Sequence, residues 1–303
     1  QLYFAARKHS ETFQKFLRAV KIVSRLECVP RRCSVIGTKS LVFMAIIDCV
    51  SFNGENEIWD LRYHILKDCV DEFIVCEAPT TFSGNKKPFY FERIKDKYKK
   101  VSYFKIDENY TSEEIALAES SPNTRGAKHW KREFLQKESI KKALTYLRDN
   151  DVAIIGDVDE IPFPKYIENL RFFEGQYPPH KLKFQVYTYY LNNRSSEEFW
   201  GTLAGSWKDI KGRCLNHLRT NSPKMDSYCG WHFTSMGGEK EVRRKLVDSY
   251  TKESYNTPCV QKNLKANILN RKDFLGRDFT YWKDEKGWPE YLKNNREKYI
   301  ALL

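Results

Sequence analysis

Short apolar runs alternate with amphipathic stretches through the first half of the chain. The runs have the length and aliphatic composition of buried strands, and they lie at 44–52, 72–78, 101–107 and 152–155. The stretches between them space their apolar residues as a helix does, and they lie at 56–68, 88–100 and 128–150. Strands that are apolar on both faces and separated by helices predict a mostly parallel sheet with helices on both sides.

The pattern changes after residue 175. Residues 181–192 alternate between apolar and polar positions, as antiparallel strands do, and 199–207 is a candidate to pair with them. A further strand is predicted at 227–238, followed by a helix over 239–250. We therefore predict an α/β fold with a mostly parallel central sheet flanked by helices and with a mixed or antiparallel second half.

Residues 1–43 are predicted to form a basic, helical N-terminal extension to a single domain at 44–303. Apolar residues recur there at helical spacing, with Lys and Arg between them, at Phe13, Phe16, Leu17, Val20 and Val23. Such a helix either packs on its own domain or lies on a partner or a membrane surface. The second possibility would give a peripheral membrane contact through residues 10–33.

The net charge of +12 is concentrated in this extension. Residues 1–43 hold nine basic and two acidic residues, a net charge of +7, whereas the remaining 260 hold 43 basic and 38 acidic residues, a net charge of +5. A body that binds nucleic acid presents a strongly basic face, and this body is nearly balanced. We therefore expect no nucleic-acid partner.

An acidic cluster stands at the end of the fourth predicted strand, where Asp157, Asp159 and Glu160 follow the apolar run 152–155. Ligands of open α/β sheets bind at the carboxyl ends of strands, and a spacing of two would place Asp157 and Asp159 on one face of a regular strand. Adjacent carboxylates repel unless a cation lies between them, and Mg²⁺ or Mn²⁺ can in turn bind a diphosphate. The cluster predicts a metal site for a nucleotide-sugar or nucleoside triphosphate, with a solvated acidic loop as the alternative.

The chain resembles glycosyltransferase family 17 in three ordered segments, which lie at 72–91, 157–162 and 230–238. The resemblance extends from about Ile46 to Tyr255. It implies a GT-A-like nucleotide-sugar-binding fold, with residues 44–175 as the nucleotide-binding half and 176–303 as the acceptor-side half. It also implies a UDP-sugar donor, which is UDP-GlcNAc in the animal members, a divalent metal (Mn or Mg), and inversion at the anomeric carbon.

The resemblance assigns the metal to Asp157, Asp159 and His232, with Asp159 as the leading ligand. It assigns the donor to Asp157, Arg132, Glu133 and Trp231, and the catalytic base to Glu160 or Glu77. Each assignment has a structural alternative. His232 and Trp231 can be core residues, Arg132 and Glu133 an exposed helix pair, and Glu77 a solvated strand end. The sequence does not choose between the two bases.

Together these expectations describe a metal-dependent, inverting glycosyltransferase that moves a sugar, GlcNAc by the resemblance, from a UDP-sugar to a hydroxyl of a glycan or glycoprotein. A nucleotidyltransferase would use similar carboxylates, but it usually has a glycine-rich phosphate loop, and no GxGxxG motif or P-loop occurs in this chain. A carbohydrate- or nucleic-acid-binding protein without catalytic activity is the second alternative.

Two departures from the family pattern limit what the resemblance implies. Animal members have Asp where this chain has Gly156, so that acid is not expected to be essential for metal binding. They also have an N-terminal membrane anchor and a stem, whereas residues 1–303 contain no apolar run of membrane-spanning length. This leaves the location open between the Golgi membrane or lumen and the cytoplasm, and it leaves the N-glycan acceptor open as well.

Overall fold

The computed structural model describes residues 44–124, 128–173, 176–250 and 255–303. The N-terminal extension at 1–43 lies outside these ranges, and with it the predicted basic helix and the membrane contact through residues 10–33. None of the helices within the described ranges is long and apolar enough to cross a bilayer.

The strands of the described ranges form one mixed sheet. They are β1 (Ile46–Ser51), β2 (Glu72–Glu77), β3 (Val101–Lys105), β4 (Val152–Asp157), β5 (Glu160–Pro162), β6 (His180–Thr188), β7 (Asn193–Ser206), β8 (Lys224–Thr234) and β9 (Tyr281–Lys283). Their order is β3-β2-β1-β4-β7-β6-β8-β5, and β9 pairs with β7 off this path. The first four strands pair in parallel, whereas β7 runs antiparallel to β4, β6 and β9. The predicted α/β class, with a parallel first half and a mixed second half, is confirmed.

The α-helices of the described ranges lie mostly between these strands. They are α1 (Asn56–Leu66), α2 (Ser112–Ser120), α3 (Lys128–Ser139), α4 (Pro164–Leu170), α5 (Trp207–Ile210), α6 (Leu215–Asn221), α7 (Gly238–Ser249), α8 (Pro258–Leu269) and α9 (Glu290–Asn294). The predicted helix over 128–150 is shorter than expected, because its α-helical part ends at Ser139 and continues only as a 3-10 helix, Ile140–Leu144. Helix α2 was not predicted, although Thr111 and Glu114 form a capping box at its start.

The segment 88–100 is not the predicted α-helix. It forms two short 3-10 turns, Phe91–Arg93 and Lys95–Lys97. The backbone N–H groups of Tyr90 and Phe91 donate to the carboxylate of Glu77. Ile94, with a φ of −124°, lies between the two turns and interrupts the helical geometry, so the segment does not continue as an α-helix.

Both faces of β1, β2 and β4 are buried. Ile47 and Cys49 of β1 belong to an apolar cluster that also contains Ile155 of β4. Asp48, which lies between them and points to the opposite face, forms an ion pair with Arg62 of α1. Burial on both faces explains why β1 is a continuous apolar run in the sequence, apart from this one carboxylate.

Candidate active site

A cavity of about 700 Å³ opens at the edge of the sheet where β1 and β4 end. Ser51 and Asp157, the last residues of these strands, both line it, at the position where α/β sheets bind ligands. The predicted site residues that line the cavity are Glu133, Asp157, Asp159, Glu160 and His232. Glu77, Arg132 and Trp231 are not part of that lining.

The acidic residues lie on a turn, residues 157–160, which we name the acidic turn. Strand β4 ends at Asp157, Val158 and Asp159 form the turn, and β5 begins at Glu160. Because the strand ends at the first aspartate, Asp157 and Asp159 are not neighbours on one face of a regular strand, and the prediction from strand spacing is wrong here. Each of the two carboxylates instead contacts its own set of basic side chains.

Asp157 contacts Ser51, Lys137 and Arg219. The Ser51 hydroxyl donates to Oδ1 over 2.8 Å, and Oδ2 lies 3.4 Å from Lys137 Nζ and 3.3 Å from Arg219 Nη2. Burial alone would raise the pKa of Asp157, but the two cations outweigh burial and hold that pKa well below its usual range. Asp157 is therefore ionised, and side chains of α3 and α6 balance its charge.

Asp159 faces a different pair of basic side chains, from β8 and α7. Its Oδ2 lies 3.5 Å from His232 Nε2 and 3.8 Å from Lys245 Nζ. Burial would raise the pKa of Asp159, but the charges of His232 and Lys245 lower it. Conversely, burial lowers the pKa of His232, and the Asp159 carboxylate more than reverses that effect. Lys245 also donates to the Thr234 hydroxyl over 2.9 Å, which fixes its ammonium group beside the turn.

Glu160 lies in a niche between two glycines. Its Oε2 accepts a hydrogen bond from the Thr202 hydroxyl over 2.6 Å, and Oε1 lies 3.5 Å from Arg219 Nη2. A Cβ at Gly201 would overlap the Glu160 carboxylate, and a Cβ at Gly156 would overlap the Thr202 hydroxyl. Burial, and then the charge of Asp157, raises the pKa of Glu160. The niche explains why a side chain at position 156 does not fit this chain.

Strand β8 directs His232 and Trp231 to opposite faces, as alternation along a strand requires. His232 pairs in register with Glu160 and lines the cavity. Trp231 packs on Phe163, with 4.4 Å between ring centroids, and its Nε1 donates to the Gly287 carbonyl over 2.6 Å. These contacts favour packing over sugar stacking for Trp231.

Glu77 points to the opposite face of the sheet from Asp157. In the parallel register Ser51 pairs with Cys76, so the side chain of Glu77, one residue later, points away from the cavity. Its fully buried carboxylate accepts hydrogen bonds over 2.8 to 3.0 Å from Lys87 Nζ, the backbone N–H groups of Tyr90 and Phe91, and the Tyr103 hydroxyl. These contacts favour a structural role, and the geometry gives no support to Glu77 as the base.

Arg132 and Glu133 are neighbours on α3 but have different surroundings. Arg132 Nη1 donates to the Phe82 carbonyl over 2.8 Å, so Arg132 supports the loop that follows β2. Glu133 lines the cavity and pairs with Lys137 one helical turn later, with 2.6 Å between Oε1 and Nζ. Glu133 therefore contributes to the site by orienting Lys137 beside Asp157.

The sequence pattern predicts no role for Lys137, Arg219 or Lys245. These residues come from α3, α6 and α7, and only the fold brings the three helices to the acidic turn. Basic residues on amphipathic helices are common, so spacing and composition give no signal for them. The available signal was the acidic cluster itself, which requires positive charge nearby.

A divalent ion fits two of the three predicted ligands. Carboxylate oxygens suit Mg²⁺ and Mn²⁺, imidazole is a common metal ligand, and Asp159 Oδ2 and His232 Nε2 face each other across 3.5 Å. Asp157 instead has Ser51, Lys137 and Arg219 around its carboxylate. Within the described residues, no group of three or more His, Cys, Asp or Glu side chains is arranged to hold a metal ion. The assignment of a metal to Asp157, Asp159 and His232 therefore stays a prediction.

The sequence matches the family model for glycosyltransferase family 17 over residues 23–237, well over half of the chain. It is also 30% identical over 138 residues to proteins from Rattus norvegicus and Homo sapiens, each named beta-1,4-mannosyl-glycoprotein 4-beta-N-acetylglucosaminyltransferase. The matched region covers 44% of this chain, 24% of the rat protein and 25% of the human protein. The match thus spans only about a quarter of the length of these relatives.

Proposed function

Because the chain belongs to glycosyltransferase family 17, we propose that it transfers N-acetylglucosamine from UDP-GlcNAc to a hydroxyl of a glycan or glycoprotein. In this proposal the transfer inverts the configuration at the anomeric carbon and uses a divalent metal. The observation that carries this proposal is the acidic turn in a cavity of about 700 Å³ at the carboxyl end of β4. That volume suits a small-molecule ligand. The names of the similar proteins support the choice of sugar, and the mixed sheet is consistent with a GT-A-like fold.

The donor diphosphate binds beside Lys137 and Lys245. Both residues line the cavity, Lys137 next to Asp157 and Lys245 next to Asp159. Burial opposes the charge on each lysine, but the neighbouring carboxylates outweigh it and raise the pKa of both ammonium groups. Two charged donors held in place are suited to phosphate oxygens, which accept strong charge-assisted hydrogen bonds.

Asp159 and His232 would hold the divalent ion. When bound, this ion supplies positive charge that stabilises the UDP leaving group. Asp157 is not needed as a ligand in this arrangement, because it orients Lys137 and Arg219.

Glu160 acts as the general base. It lines the cavity, whereas Glu77 lies on the other face of the sheet. Its carboxylate takes the proton of the acceptor hydroxyl as that oxygen attacks the anomeric carbon from the face opposite the diphosphate. Thr202 and Arg219 fix the orientation of this carboxylate.

UDP release tests the proposal. With Mn²⁺ and a panel of UDP-sugars, the protein should release UDP slowly, fastest from UDP-GlcNAc, and faster still when glycan acceptors are added. Asp159→Asn removes a negative charge at the metal and should lower metal-dependent release about 100-fold or more.

Asp68→Asn is the matched control, because the Asp68 side chain is 87% exposed and lies outside the cavity lining. It should keep the wild-type rate. Full metal-dependent activity of Asp159→Asn would overturn the metal assignment. Stabilisation by RNA alone, without UDP release, would favour a binding protein, and transfer of the nucleotide instead of the sugar would favour a nucleotidyltransferase.

A further inference from the structure

We infer that Arg62 is a positioning residue of this site, which holds the acidic turn in place from its buried side. The catalytic consequence of this inference rests on the proposed function. The structural part concerns only Arg62, Asp48 and the backbone of residues 157–160, and it can be tested without any substrate.

Arg62 lies on the buried face of α1, among apolar neighbours such as Trp59 and Leu66. Its side chain and that of Asp48 in β1 are both completely buried. Arg62 Nη2 donates to Asp48 Oδ1 over 2.6 Å, and Nε donates to Oδ2 over 2.8 Å. This bidentate pair balances the charge of the guanidinium and fixes its plane.

The remaining nitrogen of Arg62 points at the acidic turn. Nη1 donates to the backbone carbonyl of Glu160 over 2.7 Å and lies 3.3 Å from the carbonyl oxygens of both Asp157 and Val158. Carbonyl groups in a turn cannot all be bonded in the strand ladder, and buried carbonyls without partners destabilise a fold. Arg62 therefore bonds three of the four carbonyls of the acidic turn, and the fourth, that of Asp159, accepts from the backbone N–H of Phe233 over 2.9 Å.

The direction of these bonds determines what the turn presents to the cavity. The carbonyl oxygens of Asp157, Val158 and Glu160 face Arg62 on α1, and the acidic side chains of the turn line the cavity. A site whose backbone is held by such buried contacts keeps its side chains close to one geometry. Small displacements of catalytic groups lower reaction rates strongly, so loss of these bonds should affect turnover and not only stability.

A planar guanidinium is needed to bond both Asp48 and the acidic turn. It offers five N–H donors in a fixed fork, so one edge can bind Asp48 while Nη1 bonds the turn. A lysine at position 62 keeps the positive charge beside Asp48 but has a single ammonium group. Arg62→Lys should therefore keep the ion pair with Asp48 and lose the hydrogen bonds to the turn.

The test compares wild type with Arg62→Lys in two measurements. We expect hydrogen exchange of the backbone amides at 157–161 to become at least about tenfold faster in the folded variant, because the turn loses its hydrogen bonds to Arg62. We expect kcat for UDP release to fall about 10- to 100-fold, with a smaller change in the KM for the donor. Arg148→Lys is the control, because Arg148 also pairs with an aspartate, Asp151, outside the cavity, and it should leave both measurements unchanged.

If Arg62→Lys does not fold, the double variant Asp48→Leu/Arg62→Met replaces it, because apolar residues often substitute for a complete buried ion pair. It should fold and show the same faster exchange in the turn. Wild-type exchange at 157–161 together with wild-type kcat, in whichever of these variants folds, would overturn the inference. If the wild type releases no UDP from any UDP-sugar, the proposed function fails, and the exchange measurement still decides the role of Arg62.

Discussion

At the scale of single residues, the charges of the acidic turn are balanced within the protein. Lys137 and Arg219 lie beside Asp157, and His232 and Lys245 lie beside Asp159. The repulsion between neighbouring carboxylates is therefore reduced before any ligand binds, which keeps the turn ordered. Under the proposed function, a donor diphosphate would add negative charge to this cluster, and a divalent ion bound with it would offset that charge.

Glu77 provides a prediction at the same scale. In the wild type the buried Glu77 carboxylate accepts hydrogen bonds from Lys87, Tyr90 and Phe91. Glu77→Gln places an NH2 group among these donors and leaves Lys87 without a carboxylate partner. We expect the free energy of unfolding to fall by about 2–4 kcal/mol, measured by chemical denaturation. The rate of UDP release per folded molecule should stay within about twofold of wild type, and a large loss of rate would restore Glu77 as a base candidate.

At the scale of secondary structure elements, alternation along strands decides which side chains reach the cavity. On β2 it turns Glu77 away, and on β8 it separates His232 from Trp231. Close contact between β4 and β7 has a further effect, because Thr202 of β7 occupies the space above Gly156 and donates to Glu160. Gly156 therefore leaves room for Thr202, through which β7 contacts the acidic turn.

Gly156→Ala tests this contact. The new methyl group overlaps the Thr202 hydroxyl, so the strands must shift, and we expect the free energy of unfolding to fall by about 1–3 kcal/mol. Gly212→Ala is the matched control, because a Cβ there meets nothing within 4 Å, and its effect should stay within about 0.5 kcal/mol. Equal stability of the two variants in urea denaturation would show that the contact between Gly156 and Thr202 is not tight.

At the scale of the whole molecule, the C-terminal residues Lys298 and Tyr299 contact α1. Asp60 of α1 accepts a hydrogen bond from the Tyr299 hydroxyl over 2.6 Å and pairs with Lys298 Nζ at 2.5 Å. Nearby, the rings of His64 and Tyr291 stack with 4.8 Å between centroids. The Asp60 carboxylate thus joins α1 to the 3-10 helix Arg296–Leu302.

This contact predicts a pH dependence of stability. Burial would raise the pKa of Asp60, but the bonds from Lys298 and Tyr299 lower it below its ordinary value of about 3.8. A group whose pKa is lower in the folded state stabilises the fold above its unfolded pKa, and this contribution is lost as pH falls through the folded pKa. Asp60→Asn should therefore be about 1–3 kcal/mol less stable than wild type at pH 7, and the difference should shrink below about pH 3.8.

Denaturation of both proteins between pH 7 and 2 measures this difference. Asp68→Asn, whose side chain is 87% exposed in the wild type, should match wild type at every pH. If the difference in stability between Asp60→Asn and wild type does not change with pH, the ionised carboxylate of Asp60 does not stabilise the C-terminal segment.

Prediction from sequence worked for features that depend on local pattern. The apolar runs at 44–52 and 72–78 became β1 and β2, because a run of this length and composition has to be buried. Prediction was wrong at 88–100, where the non-helical backbone of Ile94 separates two 3-10 turns, and it missed α2 despite its capping box. It also could not supply Lys137, Arg219 and Lys245, which reach the turn only through the packing of three helices.

The sequence by itself determined the α/β class, the strand that ends in the acidic turn, and membership of a glycosyltransferase family, because these follow from local hydrophobic pattern and short motifs. Only the tertiary structure decided which side chains share the cavity. Alternation along strands, the end of β4 at Asp157 and the approach of α1, α3, α6 and α7 set those positions. Contacts between residues far apart in the chain depend on packing geometry, which no local pattern contains.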